Sequence, residues 1–216
     1  MPISSKSNAE GADAVLCLTI SSKLSATYAS AVTAADTFTS IPVQVFDTRS
    51  VTMGQGLTVI AAAEESATGA GLDQLIAAAE DRKSRIRVYG VLGGLDFLQR
   101  GGRIGGAQAL LGSLLSIKPV IMVKDGEVAE ESKQRTRSRA LSYLVAKVAA
   151  DAPLERLAVA DGACDDVDDV VKELSAIPSD HPAVSVQLGP VVGSHTGPNT
   201  VGACYIVRAA VSAPGD

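Results

Sequence analysis

Short apolar runs alternate with polar, glycine-rich stretches along most of the chain, and their spacing predicts the elements. Ala14 to Ile20 is apolar and is bounded by Gly11 and by Ser21-Ser22, the pattern of a buried strand that feeds a helix through a serine-rich turn. The helix is predicted over Lys23 to about Ala35. Pro42 to Phe46 reads as a second strand, followed by Asp47-Thr-Arg-Ser50 and an alanine-rich helix from about Thr52 to Ser66 that Gly69 and Gly71 terminate. Leu72, Leu75, Ile76 and Ala79 then recur at the i, i+3, i+4, i+7 spacing of one helix face, and Ile86 to Leu92 makes the next strand. This order of strand, helix, strand, two helices and strand favours a parallel sheet with helices on its faces.

Beyond Gly93 the pattern changes. A glycine-rich helical region is predicted up to Ser116, then a strand over Lys118 to Val123, a turn at Lys124-Asp125-Gly126 and a hairpin partner from Glu127, since Asp-Gly between apolar runs is a strong hairpin signal. Apolar residues at Leu141, Leu144, Val145 and Val148 and at Val167, Val170, Val171 and Leu174 predict two helices with a strand, Leu157 to Ala160, between them. Ala183 to Leu188 and Ala203 to Val207 read as closing strands around a Gly/Pro-rich turn, Gly189 to Pro198. The domain boundary is placed near residue 85, where the two-helix stretch ends.

At 216 residues the chain can remove roughly 70% of its unfolded surface from water, enough for one large domain or two small ones. It is 46% hydrophobic but 3% aromatic and lacks Trp, so Ala, Val, Leu and Ile must build the core, as suits sheets covered by helices. A net charge of −5 and the scarcity of aromatic platforms argue against nucleic acid as a partner. Cys17, Cys164 and Cys204 are far apart and lack metal-ligand spacing. The polar opening, Met1 to Glu10, has no signal-peptide apolar segment, and no run approaches the length of a membrane span, so the cytoplasm is the expected location.

Candidate chemistry sits at a few places. Ser21-Ser22-Lys-Leu-Ser25-Ala-Thr27 lies where a strand turns into a helix, where unpaired main-chain N–H groups favour a carboxylate or phosphate, or where serine simply caps the helix. His195 lies in a turn that either presents it to a cleft or leaves it on the surface. Gln99-Arg-Gly-Gly-Arg-Ile-Gly-Gly106 joins two arginines to paired glycines, suited to an anion or to plain turns with solvated arginines, and it is neither a Walker A loop nor a dinucleotide fingerprint. Lys133, Arg135, Arg137 and Arg139 concentrate positive charge, as a docking surface or a solvated face. The aspartates between Asp161 and Asp169 sit at a predicted helix start, where they complement the dipole more simply than they bind metal.

Ile20-Ser-Ser-Lys-Leu-Ser-Ala-Thr-Tyr28, Leu95-Asp-Phe-Leu-Gln-Arg-Gly-Gly-Arg-Ile104, Ser116-Ile-Lys-Pro119, Asp125-Gly126, Lys133-Gln-Arg-Thr136 and His195-Thr-Gly-Pro198 resemble, in wording and order, the DegV family. The resemblance runs from about Gly11 to Val207 and implies a two-domain α/β fold: a shortened N-terminal parallel-sheet domain over 1–85 and a C-terminal mixed-sheet α/β domain over 86–216. It further implies a lipid carrier that is not itself catalytic, with a long-chain fatty acid between the domains and no cofactor or metal. By resemblance Ser21, Ser22 and His195 hold the carboxylate, with Ser22 preferred of the two serines. A separate ATP-dependent fatty acid kinase subunit would phosphorylate the bound acid, and Arg103, Lys133 and Arg135 would face that partner. Transient contact with a membrane is compatible with such a carrier.

The chain departs from the family pattern at its start. Members usually begin with a further strand and helix region, including a Thr-Ser-Gln-Pro-type segment whose threonine also binds the carboxylate, and this chain is expected to start after it, with only Ser4-Ser5 near that place. An open sheet edge left there would favour a homodimer. Lys23 and Ala26 stand where glycines are usual, and Asn199 where glycine is common. Two rival functions are an acyl-ester hydrolase with Ser22 as nucleophile and His195 as base, which lacks a G-x-S-x-G elbow, and an interaction module that binds no lipid.

Overall fold

A computed structural model describes residues 11–110 and 117–210. The opening stretch with Ser4-Ser5, the end of the glycine-rich region and Ser116 of the matched segment lie outside the described residues. Two sheets organise the chain, as the α/β expectation requires. The small one pairs β1 (Val15–Thr19) in parallel with β2 (Val43–Asp47). The large one has six strands in the order β5-β4-β3-β8-β6-β7. Its members are β3 (Ile86–Val91), β4 (Lys118–Lys124), β5 (Glu127–Gln134), β6 (Leu154–Gly162), β7 (Val184–Gln187) and β8 (Thr200–Val207).

The expectation that β3 continues a parallel sheet is corrected here: it runs antiparallel to both β4 and β8, in the middle of the large sheet. Only β6 and β7 pair in parallel there, so the sheet is mixed. The β4–β5 hairpin closes as the Asp-Gly signal predicts, with Asp125 at φ 51° and Gly126 at φ 85°, the left-handed pair that a type I′ turn demands.

Helices cover both faces of the large sheet. On one side α5 (Arg137–Ala150) and α6 (Val167–Ser175) bury Ala140, Leu144, Val148, Val170 and Leu174 against Tyr89, Val91, Leu157, Val159 and Tyr205. The Thr136 hydroxyl starts α5 by accepting the Arg139 N–H. On the other side α2 (Met53–Ala67) lays Leu57 against Val88, Ala158, Cys204 and Ile206. The approach is close: a Cβ on Gly54 would come within 2.5 Å of the Val88 side chain. With α3 (Leu72–Arg85), α2 also contacts β1, so this helix pair bridges the two sheets.

Charge reinforces that bridge. Arg82 donates to Glu65 and, at 2.9 Å, to Glu155, and Arg85 donates to the other Glu155 oxygen at 2.7 Å. Burial alone would raise the Glu155 pKa, but the hydrogen bonds from Arg85 and Arg82 outweigh it and hold the carboxyl below its ordinary range. The remaining helices are α1 (Thr27–Asp36), α4 (Asp96–Arg100) and α7 (Pro190–Thr196), with a 3-10 turn over Gly105–Leu110. The Gly189 to Pro198 segment, expected as a turn, is thus largely helical. Its proline stands in the first turn of α7, where a missing N–H costs nothing.

Candidate ligand site

A partly enclosed cavity of about 310 Å³ lies between the α2 face of the large sheet and the loops after β1, β2 and β3. Its volume is at the lower end of the roughly 300–1,000 Å³ common for small-molecule sites. Most of the wall is aliphatic: Ile20, Leu24, Val51, Val88, Leu92, Ile121, Val128, Leu188 and Val192 all contribute. Among the described residues, no charged side chain other than Arg103 lines it.

Polar groups gather where three loops meet. Arg103 Nε donates to the Leu24 carbonyl at 3.1 Å, and its Nη1 donates to the Gly101 carbonyl at 2.9 Å, so the arginine ties the loop after β1 to the loop after α4. Gly101 in turn lies under His195. A Cβ built at residue 101 would fall 2.1 Å from His195 Nδ1, so glycine is needed for the imidazole to sit where it does. Nδ1 is buried and makes no hydrogen bond among the described residues. With this nitrogen unpartnered against Gly101 and the residue on the cavity wall, His195 is a polar side chain that the fold itself does not use for a hydrogen bond through Nδ1. Gly197, at φ 76°, ends α7 where a side chain would strike the Phe97 ring, which fixes α7 against α4.

Each residue singled out in the sequence has a definite place. His195 lines the cavity from the last turn of α7. Ser21 does not: it is fully buried, its hydroxyl donates to the Gly126 carbonyl at 2.7 Å, and the same oxygen accepts the Lys23 N–H at 3.2 Å. Ser22 is exposed and turned to Asp47, whose carboxylate accepts its N–H at 3.2 Å and that of Arg49 at 2.9 Å. Those bonds hold the Asp47 pKa low against the opposing effect of partial burial. Neither serine is on the cavity wall, and an ester-cleaving pair of Ser22 with His195 does not assemble there.

The serine that does reach the cavity is Ser25, with Thr27 beside it. Ser25 Oγ lies 2.7 Å from Thr27 Oγ1 and accepts the Thr27 N–H at 3.2 Å just ahead of α1, whose N-cap position is Ala26 and carries no side-chain cap. Thr52 is a further lining residue that sequence reasoning missed. It caps α2 by accepting the Met53 N–H and holds φ at 49°, a rare and strained value for a β-branched residue.

Of the other cations, Arg103 sits on the rim as described. Lys133 and Arg135 are exposed at the end of β5, an edge strand, with Lys133 3.6 Å from Glu130. Arg137 is occupied: it forms a two-point ion pair with Asp166 and donates to the Asn199 carbonyl. The aspartate-rich segment is likewise committed, since Asp161 accepts the Cys164 N–H and Asp168 and Asp169 stand in the first turn of α6. Among the described residues no cluster of His, Cys, Asp or Glu is placed to hold a metal, and no helix is long and apolar enough to cross a membrane.

Comparison with known proteins gives this geometry its context. The model of a family described as uncharacterised protein, DegV family, matches residues 4–208. A DegV domain-containing protein of Streptomyces coelicolor is 37% identical over 200 residues, 89% of this chain and 69% of that protein. Protein DegV of Bacillus subtilis is 31% identical over 201 residues, 91% and 72% of the respective chains. Among solved structures, a fatty-acid-binding DegV family protein from Thermus thermophilus superposes with a TM-score of 0.85 at 36% identity, covering 94% of this chain and 74% of that one. DegV from Bacillus subtilis, described as a fatty acid binding protein, superposes with a TM-score of 0.80 at 30% identity over 94% and 74%. A small parallel sheet joined to a larger mixed sheet, and a family match across nearly all of the described residues, lead to one conclusion: the chain belongs to the DegV family.

Proposed function

We propose that this protein is a carrier that holds one long-chain fatty acid in the cavity and presents its carboxylate to an ATP-dependent kinase subunit. The observation that carries this reading is the cavity's construction, a largely aliphatic wall in which Arg103 and Gly101 bring the Ser25 and Thr27 loop and His195 together. Burial of an alkyl chain contributes about 0.8 kcal/mol per CH₂, while the carboxylate requires donors where the cavity meets water. Similar proteins described as fatty acid binding support the choice of ligand. The cavity draws Ile20, Leu24, Ser25, Thr27, Val51 and Thr52 from the segment 1–85 and the rest of its wall from 86–216, so the acid would lie between the two units.

For the head group we assign Ser25, Thr27 and His195. Ser21 and Ser22 support the loop that presents Ser25, because their own hydrogen-bonding groups face Gly126 and Asp47. Arg103, on the rim, and the exposed pair Lys133 and Arg135 are the docking residues for the kinase. The protein is cytoplasmic in this reading and supplies no catalysis of its own. The β1–β2 sheet has only two strands among the described residues, so its edges can recruit a second copy, which light scattering would register as a dimer.

The deciding measurement is mass spectrometry of an organic extract from purified protein, beside Ser25→Ala and His195→Ala variants. A stoichiometric fatty acid that falls away in both variants is expected. A folded wild-type protein that carries none, and takes none up when it is offered, would overturn the assignment.

A further inference from the structure

The floor of the cavity is a row of four residues read straight across the large sheet. Ile121 pairs with Gly90, Gly90 with Gly202, and Gly202 with Ala160, so all four share one face of adjacent strands. All four line the cavity. Two glycines side by side at the centre of a sheet, flanked by alanine, leave a trough where neighbouring rows carry side chains. One row along, Val88 pairs with Cys204, and these two close the cavity floor beyond the glycines, beside Thr52. In the other direction, β8 leads to Thr200 and so to the Thr196 and His195 end.

Neither glycine is demanded by its backbone. Both lie outside the left-handed region. A Cβ at Gly90 would meet nothing nearer than Ile121 Cγ1 at 3.4 Å, and one at Gly202 would meet the Ala160 methyl at 3.3 Å, a contact that a few tenths of an ångström would relieve. Glycine inside a strand weakens it and contributes no packing, so an unforced pair is best explained by what must pass close over the backbone.

We infer that Gly90 and Gly202 are the residues that set the length of the alkyl chain accepted. The chain enters at the His195 rim, crosses the sheet over the bare backbone of the glycine pair and ends against Val88, Cys204 and Thr52. A side chain at either position stands across that path midway and divides the cavity into a short rim compartment and an inaccessible far one. The inference rests on the carrier reading above but asks a different question of the cavity, how far a ligand reaches.

The test uses the full chain, delipidated, with decanoate and stearate as probes, and compares wild type with Gly90→Val, Gly90→Ala and Gly202→Ala. Wild type is expected to favour stearate. Gly90→Val should retain decanoate within about threefold while losing stearate by about tenfold for every two methylenes excluded, on the burial value of a CH₂. The two alanine variants should show the same trend to a smaller extent, and they serve if the valine variant does not fold, with retained decanoate binding and a cooperative melt marking an intact protein. Unchanged preference for stearate in folded variants would overturn the length assignment while leaving the carrier reading in place. Equal loss of both probes in a folded alanine variant would also overturn it. A wild type that binds neither probe would remove the carrier reading itself.

Discussion

Ser21 and Gly126 are joined by a 2.7 Å hydrogen bond across 105 residues of sequence, from a fully buried hydroxyl to the carbonyl at the tip of the β4–β5 hairpin. The bond locks the loop that carries Ser25 onto the large sheet. Around it, Arg49 donates to the Asp125 carbonyl at 3.4 Å and Lys23 lies 3.5 Å from Glu127, so the hairpin tip is held at several points. Ser21→Ala leaves a buried carbonyl without its donor and should lower stability by about 1–3 kcal/mol. Ser22→Ala, on an exposed side chain, should change stability by less than about 0.5 kcal/mol. Urea denaturation of both variants checks the contrast, and equal effects would contradict the placement of these two serines.

Gly101 gives access to the imidazole without touching its chemistry. Because a methyl at this position overlaps His195 Nδ1, Gly101→Ala should push the ring off the cavity wall and weaken fatty acid binding nearly as much as His195→Ala does, by about tenfold or more, the worth of one charge-assisted hydrogen bond. Titration with a fluorescent fatty acid at constant ionic strength would measure it. Full affinity in Gly101→Ala would show that the position of His195 does not matter to the ligand.

The ion cluster that joins α2 and α3 to β6 predicts an acid-sensitive fold. Glu155 has its pKa depressed in the folded protein, so its contribution is complete above the unfolded carboxylate range and is lost as pH falls through the lower folded value. Glu155→Gln should therefore lower stability at neutral pH, by about 1–3 kcal/mol, less than the 3–5 kcal/mol of a fully buried pair because these side chains keep some solvent contact. The difference from wild type should begin to shrink as pH falls through the unfolded carboxylate value, about 4.3, and should vanish only below the lower folded value, where both proteins carry a neutral group at this position. Thermal melts across that range would reveal it, and a constant difference at every pH would rule the cluster out as the cause.

Charge reversal at Lys133 and Arg135 should separate docking from lipid binding. Both lie on an exposed edge and neither lines the cavity, so Lys133→Glu with Arg135→Glu should leave the extracted lipid unchanged and slow association with the proposed kinase partner, with a wild-type rate that falls as salt rises. Surface-binding kinetics at two salt concentrations would test this. Loss of lipid in the double variant would place these residues in a different role.

Much of this molecule is written locally. The spacing of Leu72, Leu75, Ile76 and Ala79, the Asp125-Gly126 turn and the apolar runs of β1, β2 and β3 each encode an element through contacts a few residues long, and the elements appear close to where those patterns put them. The ordered motifs likewise carry the family, and they include Ser25, Thr27, Gly101 and His195, residues that line or shape the cavity. Local pattern does not say which way a strand runs in its sheet. That is why β3, preceded by two helices, suggests a parallel neighbour but pairs antiparallel to β4 and β8.

Which of three nearby serines reaches the cavity is also a tertiary matter. Ser21, Ser22 and Ser25 share one short turn and one chemistry, and the choice among them is made by Gly126 and Asp47, which arrive from elsewhere to occupy the first two. Gly90 and Gly202 are more extreme: each is an ordinary strand glycine until the register sets them side by side beneath the cavity. The sequence alone determined the α/β elements, the family and the segment from which Ser25 reaches the cavity, because these depend on short-range periodicity and on residue order. The tertiary structure alone decided strand direction, the serine that reaches the cavity and the bare floor beneath it, because these depend on which distant residues pairing and packing bring into contact.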